Sequence, residues 1–128
     1  MQRYRLAVFA ALAALPLGAR AATTESQFQI PTAADLAALC GAQPDDRLYT
    51  AAQNFCEGFA LGVYNVLAKE EAAGGLKTFC LPDPAPTRDQ LKSEFVAFIG
   101  QSPKAAGGPP EDSILQFLQT QYPCGGKK

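Results

Sequence analysis

Residues 47–73 read RLYTAAQNFCEGFALGVYNVLAKEEAA. Leu48, Ala52, Phe55, Phe59, Val63 and Val66 recur in them at steps of three and four, the period of one long amphipathic helix over Arg47–Ala73. Cys56 falls on the same edge, so this helix is expected to form the centre of the fold. Gly58 and Gly62 sit four apart inside it, and each costs up to about 1 kcal/mol against alanine in a helix interior. Close approach of a second helix is the expected reason. Lys69, Glu70 and Glu71 mark a solvated end, and Gly74-Gly75 stop the helix.

Upstream, Thr32 is placed to cap a short helix whose apolar edge is Leu36, Leu39 and Cys40 and which Gly41 ends. Gly41 to Asp46 reads as a turn. Downstream, Leu76–Pro86 carries Phe79-Cys80-Leu81 and three prolines, which excludes helix and predicts an ordered strap returning along the long helix. Thr87-Arg88-Asp89-Gln90 is a capping box for a third helix with Leu91, Phe95, Phe98 and Ile99 on its core side. Gln101–Pro110 is rich in Gly, Pro and Ala and predicts a mobile loop. Pro109-Pro110-Glu111-Asp112 opens a fourth helix carrying Ile114, Leu115, Leu118 and Tyr122. No segment alternates as a strand would. The expected fold is an all-α, small four-helix domain with one long central helix, stapled by two disulfides.

The ends of the chain read differently. Arg3 and Arg5 precede an apolar run from Leu6 to Leu17, and Ala19-Arg20-Ala21 has the small-x-small form of a cleavage site, so residues 1–21 are expected to be a secretory signal peptide. The run is too short to span a bilayer, which takes about 20 apolar residues. The first cysteine, Cys40, lies far from the cleavage point, so no lipid anchor is expected. Residues 22–31 read as a flexible leader, residues 32–124 as the domain, and 125–128 as a disordered tail.

Removing residues 1–21 takes Arg3, Arg5 and Arg20 from the 11 basic residues and none of the 12 acidic ones, which leaves a net charge of −4. That balance lacks the cationic footprint a nucleic-acid or anionic-membrane partner needs. A domain of this size gains from covalent staples, and four cysteines in an exported chain supply them. Zinc is disfavoured, because the sequence has no histidine and no C-x₂-C spacing. Three pairings are open; a strap lying along the long helix favours Cys56–Cys80 and Cys40–Cys124.

Catalytic residues are not evident. The commonest general base is missing with histidine, and there is no G-x-S-x-G, phosphate loop or C-x-x-C. Asp45-Asp46, Glu70-Glu71 and Glu111-Asp112 lie at expected helix ends, where carboxylates cap or solvate. Glu57 is expected to face water. No metal or cofactor is expected, and the function class is binding. Tyr49, Tyr64 and Phe117 fall off the main apolar edges and are the candidate partner-binding aromatics.

Taken in order, Cys56-Glu57-Gly58-Phe59-Ala60-Leu61-Gly62, then Phe79-Cys80-Leu81-Pro82, then Tyr122-Pro123-Cys124 resembles the Rap1a/Tai family of immunity proteins over residues 32–124. The motif positions are Cys56, Gly58, Phe59, Gly62, Cys80, Pro82, Tyr122, Pro123 and Cys124. The resemblance implies a periplasmic helical protein that occludes a peptidoglycan amidase toxin delivered by type VI secretion, and it admits a homodimer. Two positions depart from the pattern: Asn65 stands where an acid is associated with the long helix, and the loop at 105–110 is unusually rich in Gly and Pro. The alternative reading is a periplasmic structural or chaperone-like protein without a dedicated toxin.

Overall fold

A computed structural model gives the architecture and describes residues 21–125; the apolar run of the expected signal peptide and residues 126–128 of the expected tail lie outside the described residues. The helices are α1 (Ala33–Cys40), α2 (Tyr49–Ala72), α3 (Arg88–Gln101), α4 (Pro103–Ala106) and α5 (Pro110–Gln121). α1, α2, α3 and α5 are the four helices the periodicity predicts, and α4 is a single added turn. Among the described residues there is no strand.

α1 is short but central. Thr32 accepts a hydrogen bond from the Asp35 amide while the Asp35 carboxylate accepts one from the Thr32 amide, closing its first turn. Leu36 and Leu39 are fully buried, and α1 packs against α2, α3 and α5. The carbonyls of Leu39 and Cys40 at its end accept from the Gln53 side chain of α2 at 3.2 and 3.1 Å. Phe95 and Ile99 of α3 and Ile114, Phe117 and Leu118 of α5 complete the core.

Several expectations change. The cysteines pair as Cys40–Cys56 and Cys80–Cys124, with Cα separations of 5.2 and 4.8 Å, and not as Cys56–Cys80 and Cys40–Cys124. The reason is the hairpin of α1 and α2: the short turn after Gly41 already sets Cys40 against the core face of α2, leaving Cys56 unavailable to the strap. The strap instead joins the end of α5, where the Cys80 amide donates to the Tyr122 carbonyl at 2.7 Å.

Residues 22–31 are anchored. A 3₁₀ turn, Glu25–Gln29, is closed by Thr24 and Gln27; Phe28 meets Phe55 edge-on at 5.5 Å, and Ile30 packs on the core. Asp46 accepts from the Thr23 amide at 2.6 Å and the Leu48 amide at 2.8 Å. Those backbone bonds hold its carboxyl below the usual range. The expected mobile loop is likewise built in: Ala105 is buried, Ser113 donates to its carbonyl at 2.8 Å, and the Ala33 amide donates to the Gly108 carbonyl at 2.9 Å. Its glycines and prolines permit a tight path that delivers these carbonyls.

Candidate partner-binding surface

α2 has 24 residues and outruns the bundle. Ala52 and Cys56 near its start are buried, whereas every residue from 68 to 78 is exposed. Gly74, at φ 93°, ends the helix in a left-handed turn, and a Cβ on Gly75 would stand 2.7 Å from the Glu70 carbonyl oxygen, so the close return of the chain needs glycine there. Among the described residues the large exposed hydrophobics are Leu61, Tyr64, Val66 and Leu76. All four lie between 61 and 76, on the far half of α2 and the start of the strap, and Leu76 is 89% exposed. Val66, read as a core position, is 57% exposed, because Val63 and Leu67 on either side of it form the stripe that packs against the core and Val66 lies off that stripe.

Gly58 and Gly62 are exposed as well. No atom lies within 4 Å of a Cβ built on Gly58 or Gly62, so the expected close helix approach is absent and both positions face open space. Phe59, between them, turns inward and stacks on Phe55 at 6.4 Å.

Beside Leu61 and Tyr64, α2 and α3 flank a hollow lined also by Cys40 and Cys56 of the first disulfide and by Leu81 of the strap. Charge bridges its mouth: Lys92 of α3 lies 3.0 Å from Glu57 and 3.0 Å from Asp89, and Arg88 lies 4.0 Å from Glu57. Glu57 is therefore half-buried in an ion-pair cluster and not simply turned to water. Burial alone would lower the Lys92 pKa, but the bonds to Asp89 and Glu57 outweigh it and the pKa is raised.

The candidate aromatics separate. Tyr64 is exposed and supports the strap through Phe79, at 6.2 Å. Tyr49 is half-buried near the end of α1, away from the 61–76 face. Phe117 is a correction: only 3% exposed, it meets Phe95 at 5.7 Å and Phe98 at 5.8 Å in the core. It stands three residues from Ile114 and next to Leu118, so helical spacing itself places it on the buried stripe of α5, and the reading that set it off that edge was wrong. Tyr122 donates its hydroxyl to Glu94 of α3, and Pro123 leads from it into Cys124. Among the described residues no group of three or more His, Cys, Asp or Glu side chains could hold a metal ion.

A family model of the Rap1a immunity proteins matches residues 32–124. The chain belongs to the Rap1a immunity protein family. No curated protein and no solved structure matches it. The matched span begins at the cap of α1 and ends at Cys124, so the Rap1a region takes in both disulfides, the projecting half of α2 and the hollow. An immunity role implies a protein toxin as partner. Leu61, Leu76, Leu81, Arg88 and Lys92 are not among the candidate binding residues read from the sequence. Leu76 alone carried a signal, as a lone large apolar residue directly after a helix-ending Gly-Gly pair.

Proposed function

We propose that this Rap1a protein is exported to the periplasm, where it binds a peptidoglycan amidase toxin and blocks its cleft by occlusion, contributing no chemistry of its own. The observation that carries the reading is that, among the described residues, the large exposed hydrophobics Leu61, Tyr64, Val66 and Leu76 all fall between positions 61 and 76 of a family member. A binding surface gains from apolar and aromatic side chains presented on a pre-organised element. The far half of α2 supplies such an element, and the turn at Gly74-Gly75 presents Leu76. Two disulfides suit an oxidising compartment, and no helix among the described residues is long and apolar enough to cross a membrane.

The test is a pull-down with the oxidised exported protein from periplasmic and secreted fractions of the producing bacterium. Stoichiometric recovery of one cell-wall amidase, inhibited on mixing and released by Leu76→Asp, supports the reading. Recovery of many unrelated proteins whose aggregation it suppresses overturns it in favour of a chaperone-like role.

A further inference from the structure

The hollow between α2 and α3 has a volume of about 230 Å³ and is walled mainly by Ala60, Leu61, Leu81, Leu91, Phe95 and Leu118. Among the described residues no buried side-chain nitrogen or oxygen lacks a hydrogen-bond partner, so no orphaned polar group is aimed into it to hold water or a hydrogen-bonding ligand. An apolar cavity of about 150 Å³ stays dry and takes up benzene, whereas sites for metabolite-sized ligands begin near about 300 Å³. The space therefore suits one ring or one branched chain.

Its rim has two characters. Leu61 and Tyr64 belong both to the hollow and to the exposed apolar face, so the two surfaces are continuous. Arg88, with a side chain 76% exposed, lies 4.0 Å from a Glu57 carboxylate that Lys92 holds more closely, at 3.0 Å. A loosely engaged guanidinium thus stands beside an apolar opening. Partner anchors are commonly single aromatic or aliphatic residues filling such desolvated pockets, with charge at the margin.

We infer that the hollow receives one aromatic or branched aliphatic side chain from a loop of the protein toxin, with a carboxylate next to that side chain meeting Arg88. This rests on the immunity reading above and adds that the protein both projects into its partner and accepts a residue from it.

Toluene serves as the probe, titrated into the oxidised exported protein and followed by amide chemical shifts, in parallel with inhibition of the amidase captured above. The expected result is saturable toluene binding with shifts confined to α2, α3, α5 and the strap. Ala60→Phe, which fills the space, should weaken toluene binding and raise the inhibition constant at least tenfold. Leu61→Glu, at a rim position 46% exposed, should also raise the inhibition constant at least tenfold, and it decides the matter if Ala60→Phe does not fold. Absence of saturable toluene binding overturns the inference. Undiminished inhibition by both variants overturns it while leaving the immunity reading intact. Failure of the unmodified protein to inhibit any amidase removes the immunity reading, and a hollow that still binds toluene is then a site for a free apolar molecule, which overturns the proposed occupant.

Discussion

The Lys92 ammonium sits 3.0 Å from Glu57 Oε1 and so joins α3 to α2 across the mouth of the hollow. The lysine side chain is 15% exposed and the glutamate 37%, so the pair is only partly screened by water. Lys92→Met should destabilise the fold by about 1 kcal/mol, near the upper end for surface pairs. The folded pKa of Lys92 is raised, so this contribution is fully present below the unfolded pKa near 10.5 and is lost as pH rises above it. Urea unfolding of the two proteins at pH 7 and again above 10.5 should show the difference shrinking.

Tyr122 offers a second, independent pH test. Desolvation first, and then its hydrogen bond to Glu94, push the phenol pKa up from 10.0 to about 12. The folded state therefore holds the proton more tightly, and the stabilisation is intact below pH 10 and disappears between pH 10 and 12. Tyr122→Phe should cost roughly 1 kcal/mol at neutral pH, as for a partly exposed hydrogen bond, with the gap to the parent protein narrowing over that window.

The disulfides differ in access: Cys40 and Cys56 are 7% and 3% exposed, whereas Cys80 is half-buried and Cys124 exposed. Limited dithiothreitol followed by alkylation and peptide mapping should label Cys80 and Cys124 first. On the loop-entropy model, removing the pair separated by 16 residues costs about 3 kcal/mol and the pair separated by 44 about 4 kcal/mol. Calorimetry on the two double-alanine variants checks the ranking.

Gly58 and Gly62 separate folding from binding. Both are helical and face open space, so alanine at either should stabilise the fold by about 0.5–1 kcal/mol. If the far face of α2 lies flat on the toxin, the same substitutions weaken inhibition while raising Tm. A rise in Tm with unchanged inhibition would move the contact to the tip at Leu76.

Helix positions were legible because each has a local cause: the Thr32 and Thr87 caps, the Gly74-Gly75 stop and the proline opening of α5 act within one turn. The disulfide pairing was not, because it depends on how α1 folds back on α2, which periodicity does not encode. Phe117 was legible by contrast: three residues from Ile114 and beside Leu118, it lies on the same helical stripe and should have been read as core. The hollow itself was illegible. Leu91 and Leu118 read as ordinary core residues, and only the space left between α2 and α3 makes them walls.

The disulfides also bear on how such a chain matures. They join first cysteine to second and third to fourth, so the two covalent loops, 40–56 and 80–124, neither nest nor cross. A chain emerging N-terminus first into an oxidising compartment presents Cys40 and Cys56 before Cys80 arrives, and can complete one ring before the next begins. Pairing in order of appearance gives the native isomer directly, so maturation calls for a thiol oxidase alone and leaves a disulfide isomerase nothing to correct.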